Sequence, residues 1–263
     1  MATKKSPIPK AKSFNAGTLT ADTVRSLLKQ HARGTFAKSS TPRVAKRFIQ
    51  ERTASEHAGG DILYHKGRLV LDALTTRKHP WIGLLIVEGD LVVKGRYEDS
   101  LDPESVVIVT GSLRAGDIIT EGFLEVHGDL VAERSILFLG NDACTEVFGD
   151  VRAPFVYTQY HAVNVHGGVK AQLVTGDAKQ HIRARQKHAF IEETDRRVRD
   201  LLSPKLLKRF ADEMFEDEDG DEADPDAPWI DAIDAETLAD FVRRGKPALA
   251  EKAPAARKSR RAS

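Results

Sequence analysis

Residues 84–93 read LLIVEGDLVV, and the phrase returns as VVIVTGSLRA at 106–115, FLEVHGDLVA at 123–132, TEVFGDVRA at 145–153 and VNVHGGVKA at 163–171. A weaker copy, LYHKGRLVL, occupies 63–71. Self-similarity on this scale is the signature of a repeat architecture. Counted from the central glycine of each copy, positions −4, −2, +2 and +4 are apolar in 22 of 24 slots, with His65 and Thr145 the exceptions. The odd positions −3, −1, +1 and +3 are apolar in 7 of 24, where a chain that is 41% hydrophobic would give about ten in either set. Period two means a strand with one buried face. Val and Leu fill that face, as suits a pleated, packed surface. The glycines fall in phase with the inward residues, where a missing Cβ permits a bend or a close backbone approach.

The glycines Gly67, Gly89, Gly111, Gly128, Gly149 and Gly167 are 22, 22, 17, 21 and 18 residues apart. Two windings fit: one copy per coil, or two copies per larger coil with opposed sheets. Both are single-stranded β-solenoids, in which each coil touches only its neighbours. The gaps leave no room for the helices of an α/β fold. A β-sandwich also uses short, regularly spaced strands, but repetition of the same inward residues in register favours the solenoid. Each buried Val or Leu contributes on the order of 1.5–3 kcal/mol, so twenty-odd in one stack make a credible core. The expected fold is an all-β solenoid with α-helices flanking both ends.

The flanks divide as follows. Residues 1–20 are Lys-, Pro- and Ser-rich and read as a disordered basic tail. Residues 21–59 read as a helical segment that caps the first coil: Thr20 or Asp22 can cap a helix carrying Val24, Leu27 and Leu28, and a second helix is expected near Val44–Ile49. The repeats occupy 60–175. Residues 180–214 switch to helical period, with Ile191, Val198, Leu201 and Leu202 on one face and a restart at Ser203-Pro204. Residues 215–228 are an acidic linker, 229–247 a terminal helix stopped by Gly245 and Pro247, and 248–263 a second basic disordered tail.

The chain of 263 residues carries 40 basic and 39 acidic side chains, which rules out function through bulk charge alone. One cysteine, Cys144, precludes an intrachain disulfide and suits a reducing compartment, and its place in a repeat reads as a buried, inert thiol. The N-terminus has no apolar core of a signal peptide, and no stretch is long enough to span a bilayer. The expectation is a cytoplasmic protein.

No catalytic, cofactor or metal site emerges. His127, His166 and Glu88 share position −1 and are zinc-ligand types, but Lys66 and Thr110 hold the same slot, so outward polarity accounts for them. Asp90, Asp129 and Asp150 follow their glycines, and turn chemistry explains them better than calcium binding or acid–base work. Asp217, Asp219 and Asp221 alternate like an EF-hand loop, yet its sixth and twelfth slots hold Glu222 and Pro228. The basic tails (Lys4, Lys5, Lys10 and Lys12; Arg257, Lys258, Arg260 and Arg261) are candidates for weak contact with a polyanion or membrane surface, without specific nucleic-acid recognition. The most informative surface feature is apolar. Tyr64, Ile86 and Ile108 at −3, and Val70 and Val92 at +3, take outward slots in the early copies. Such a patch meets something: a helix of the same chain, a partner protein or a second copy.

The motifs Val87/Gly89/Asp90/Leu91, Val126/Gly128/Asp129/Leu130 and Val147/Gly149/Asp150/Val151 resemble the bacterial polymer-forming proteins of the bactofilin type, over about residues 85–174. That resemblance implies a right-handed β-helix, cytoskeletal filaments or membrane-associated scaffolds, and no nucleotide. The helices at 184–214 and 234–244 depart from it. The ending FVRRGKPAL at 241–249 is similar to that of uncharacterised bacterial solenoids with the same repeats. The expected function is a non-enzymatic scaffold or assembly module acting through a protein partner or self-association. The alternatives are an immunity-type inhibitor of a partner toxin and a β-helix enzyme with a site on an outer wall.

Overall fold

The computed structural model describes residues 6–14, 20–34, 46, 60–78, 81–186, 189–193, 195–214 and 233–250. The chain divides into two units, Met1–Ile191 and Glu192–Ser263. The first is a β-solenoid. One wall is an eight-stranded sheet in the order β1 (Lys12–Phe14), β2 (Asp61–Lys66), β5 (Ile82–Glu88), β7 (Val106–Val109), β9 (Phe123–Val126), β11 (Cys144–Val147), β14 (Ala162–Val165), β17 (Ile182–Ala184). All its pairings are parallel except β1 on β2. The strands after each glycine form the second wall: β3 (Leu69–Leu71), β6 (Leu91–Glu98), β8 (Leu113–Thr120), β10 (Leu130–Leu139), β12 (Val151–Arg152) and β15 (Val169–Lys170).

The register settles the winding. Leu85 pairs with Val107, Val107 with Leu124, Leu124 with Thr145 and Thr145 with Val163, so position −4 of each copy lies beside position −4 of the next. Each copy is therefore one coil. The inward residues Leu85, Val87, Leu91, Val93 and their equivalents in later coils share one core. Both exceptions to the alternation are buried. Thr145 Oγ1 lies 3.0 Å from Nε2 of buried His161, and His65 Nε2 lies 3.3 Å from the carbonyl of Arg68.

A third wall completes the coil. Register shifts between Val93 and Arg96 and between Ala132 and Ser135 bend the long strands β6 and β10. Their second halves, with that of β8, align with β4 (Leu74–Thr75), β13 (Phe155–Gln159) and β16 (Leu173–Gly176). Leu74, Tyr97, Ile118, Ile136, Val156 and Val174 make one row across this wall and join the same core. Their neighbours Ile119, Leu137 and Tyr157 point the other way and are buried too, which is why these segments read as continuous apolar runs and not as an alternation.

The corner at the glycines is built from side chains as well as turns. Asp90 Oδ1 accepts the Ser112 N–H at 2.8 Å, Ser112 Oγ the Asp129 N–H at 3.1 Å, Asp129 Oδ1 the Asp150 N–H at 2.9 Å and Asp150 Oδ1 the Gly168 N–H at 2.9 Å. Each carboxylate passes across the glycine of the following coil: a Cβ on Gly149 would lie 2.4 Å from Asp129 Oδ1 and 2.6 Å from the Gly128 carbonyl oxygen. The Gly-Asp pair is thus one device acting between coils.

The flanks depart from the sequence reading. Residues 6–14, expected to be a disordered tail, include the ordered strand β1, and Ile8 is buried in the solenoid core. Helix α1 (Ala21–His31) is capped by the Thr20 side chain, which accepts the Thr23 N–H at 3.1 Å. The last coil continues past 175 through the short α2 (Ala178–His181) to β17, where helix was expected from 180. Ile191 belongs to the solenoid unit, its N–H bonding the Val174 carbonyl at 3.0 Å, and not to the helical stripe. The helix expected near Val44–Ile49, the acidic linker at 215–228 and the tail beyond Ala250 lie outside the described residues, apart from Lys46.

The second unit holds α3 (Arg196–Leu201), α4 (Pro204–Met214) and α5 (Ala235–Arg243). Asp195 and Asp234 cap α3 and α5 by accepting backbone N–H groups of Arg197 and Thr237 at 2.9 and 2.6 Å. Leu202 and Leu249 form an antiparallel bridge that closes this unit, with Ser203 N–H on the Ala248 carbonyl at 2.7 Å. Val198, Leu202, Leu206, Leu238 and Val242 are among its buried side chains.

Candidate interaction site

The outer face of the first wall carries positions −3 and −1 of every coil. Along −3 the chain presents Tyr64, Ile86 and Ile108, then Glu125, Glu146 and Asn164. Helix α1 lies on the apolar half. Val24, Leu28 and Ala32 pack with Ile62, Leu84, Ile86, Val106 and Ile108 in a second apolar cluster, with Leu27, Tyr64 and Phe123 at its margin. Ile86 and Ile108 are fully buried there. Val70 and Val92 do not join them. They pair with each other on the second wall, where Val70 is 47% exposed. The five outward residues therefore divide between two walls instead of forming one patch, and the chain's own helix covers the larger part.

Where −3 turns acidic, the segment after α1 crosses the wall as a strap. The Glu125 carboxylate, almost fully buried, accepts the backbone N–H of Arg33 at 2.5 Å and of Gly34 at 3.2 Å, and lies 2.7 Å from Nε2 of His127. The Arg33 guanidinium sits over the Phe148 ring at 5.1 Å. Gly34 lies so close to Glu146 that a Cβ there would meet its carboxylate at 1.9 Å. Beside the strap is a shallow, water-sized cleft lined by Val106, Phe123, Leu124, Glu125, Cys144 and Glu146. His31, in the last turn of α1, packs at a 41° tilt against Tyr64 with 5.6 Å between ring centroids, and burial lowers its pKa against the opposing pull of Glu88. Tyr64 in turn donates its hydroxyl to Glu88.

The residues singled out for other chemistry have structural partners. Thr110 separates Glu88 from His127 in the −1 column, and Phe148 separates His127 from His166, stacked on the latter at 4.4 Å. Among the described residues no group of three or more His, Cys, Asp or Glu side chains is placed to hold a metal ion. The aspartates at +1 are committed to the corner bonds, and Asp150 also receives Arg152 and Lys170, each at 2.8 Å, which holds its carboxyl well below the usual range. Burial and the nearby Glu146 and Glu125 push the Cys144 thiol up to about 11, so it stays protonated and a poor nucleophile. Of the basic tails, Lys10 and Lys12 are described, and Lys12 Nζ lies over the Phe14 ring at 5.2 Å. The remaining tail residues and the Asp217–Asp221 run fall outside the described residues. Among those described, no helix is long and apolar enough to cross a membrane.

Sequence reasoning identified the apolar half of this face and missed the strap. The change at −3 from Ile to Glu was visible, but what Glu125 binds at the strap is backbone N–H, which carries no residue signature. No protein family, curated protein or solved structure matches this chain.

Proposed function

We propose that this protein is a non-enzymatic scaffold: a β-solenoid of set length that works through protein contacts on its lateral walls and not by stacking end to end. The observation that carries this reading is that the chain covers part of each end itself, with a strand at the first coil and residues 178–191 at the last. At the first coil, β1 pairs antiparallel with the edge strand β2, and Ile8 enters the core. At the last, Ala178, Ile182 and Phe190 pack against the core, and Thr175 Oγ1 bonds the Ile191 carbonyl at 2.7 Å. The strands left at the edges are short: β4 and β15 have two residues, β3 and β17 three and β16 four, and β15 and β17 carry Lys170 and Arg183, the pattern that discourages further strand addition.

End-to-end growth, the mode implied by a bactofilin-type resemblance, needs free coil edges. Sedimentation velocity and negative-stain electron microscopy on the full chain test the point. Discrete particles and no filaments are expected from low micromolar to near-millimolar protein. Replacing Ile8 and Phe14 by Asp opens the first coil and is expected to produce concentration-dependent association. Filaments formed by the unaltered chain would overturn the reading.

A further inference from the structure

We propose that the N-terminal arm, residues 6–34, is an exchangeable clip, and that the groove it fills on the first wall takes the same arm from a second copy. This rests on the reading of the protein as a module that works through protein contacts, and it names the contact.

The arm is bound as a recognition element. It supplies an apolar anchor at the coil end in Ile8, a strand added to the β2 edge, an amphipathic helix and a basic-Gly terminus. Strand addition and helix-in-groove docking are two recurring modes of peptide recognition. The groove is specific for this sequence. Its apolar half accepts Val24 and Leu28, and Glu125 reads two consecutive backbone N–H groups at the strap. A side chain at position 34 would meet the Glu146 carboxylate and force it to move, and Phe148 faces the guanidinium of Arg33. The acidic residues Glu88, Glu125 and Glu146 meet the end of the arm that carries Lys29, His31 and Arg33.

The covalent connection from this arm to the first coil is residues 35–59, 25 residues. Gly34 sits at the coil of Glu125, three strands along the wall from β2. Three strand spacings are about 14 Å, since neighbouring strands lie ~4.8 Å apart. Twenty-five residues can reach about 80–90 Å when extended. The connection is several times longer than docking on its own body requires, so the same contacts can form between copies. The two arrangements share every arm contact and differ only in the effective concentration set by the connection, which is of millimolar order for such a length. Own-body docking therefore dominates at micromolar protein, and exchange appears as concentration nears the millimolar range or as the connection is shortened.

Deleting residues 36–59 leaves one residue to cross a gap of about 14 Å with a reach of only ~7 Å, so docking on the same body is no longer open. The full chain with this deletion is expected to sediment as a closed dimer, and an excess of a synthetic peptide spanning residues 6–34 should return it to monomer. A folded monomer, or a dimer indifferent to the peptide, would overturn the proposal. Should the deletion variant fail to fold, the unaltered protein decides. Isotopically heavy and light copies mixed near millimolar concentration and then diluted should yield heavy–light dimers in native mass spectrometry, and an excess of the 6–34 peptide should deplete them by taking the groove from both arms. Heavy and light monomers alone would refute it. Filaments, by contrast, would count against covered ends and leave the arm question to these readouts.

Discussion

At the scale of single residues, the coil-to-coil bond between an aspartate and the backbone beyond the next glycine explains why the two residue types travel together. A methyl group on Gly149 would meet both the Asp129 carboxylate and the Gly128 carbonyl. Gly149→Ala is expected to destabilise the protein by roughly 2–4 kcal/mol, as overpacking against immovable backbone does. Asp129→Ala strands the Asp150 N–H and removes a partner of Arg152, costing about 1–3 kcal/mol. The double variant should cost less than the two together, because one of the two clashes disappears with the carboxylate. Denaturant unfolding of the four proteins measures this coupling, and strict additivity would contradict the bond. The glycine and the aspartate were both legible in the sequence. Their coupling was not, because the residues lie 20 apart in the chain and meet only once the winding is known.

Among the elements, the first two walls follow from the alternation around each glycine, and the third does not. Its inward residues lie at +7 in four coils and at +8 in those of Tyr97 and Ile136, a one-residue slip at the bends that breaks any fixed count. The strand β1 and the strap escaped notice because their binding is mostly backbone. The corner that leads from the third wall into the next coil holds two fully buried ionisable groups. Asp99 accepts the hydroxyls of Tyr97 and Thr120 and the N–H groups of Glu121 and Gly122, yet burial still pushes its carboxyl up to about 6. His161 lies 3.0 Å from the Leu139 carbonyl through Nδ1 and 3.0 Å from Thr145 Oγ1 through Nε2. The carbonyl can only accept, so Nδ1 carries the proton and Nε2 accepts from the threonine, the neutral form. Burial lowers this imidazole to about 4. The two act in opposite senses. A raised Asp99 favours folding below its ordinary value of 3.8, and that contribution is lost as pH climbs through 6. A depressed His161 favours folding above 6.5, and that contribution is lost as pH falls through 4. Each amounts to about 3 kcal/mol at 1.36 kcal/mol per unit. Between pH 4 and 6 the two nearly cancel in the unaltered protein. His161→Asn should leave stability that falls as pH rises across this window, and Asp99→Asn stability that rises, both read from denaturant midpoints. Parallel profiles for all three proteins would show that these groups titrate in the native state as they do in the unfolded chain.

For the solenoid unit as a whole, the account depends on three walls enclosing one interior. Inward residues from every wall belong to a single cluster that runs from Ile8 to Ile182, so the middle coils have no part that can open while the rest stays packed. Stability in such an array is cooperative between neighbouring coils and weakest at its ends. Native-state hydrogen exchange followed residue by residue tests this most directly. The backbone amides of Val107, Leu124, Leu113, Leu130, Ile118 and Ile136, two from each wall of the middle coils, should exchange through one common opening with a single free energy. Amides of β1 and β17 should open at lower cost. Third-wall amides that exchange orders of magnitude faster than those of the first two walls would mean that the interior is not shared, and the account would fall.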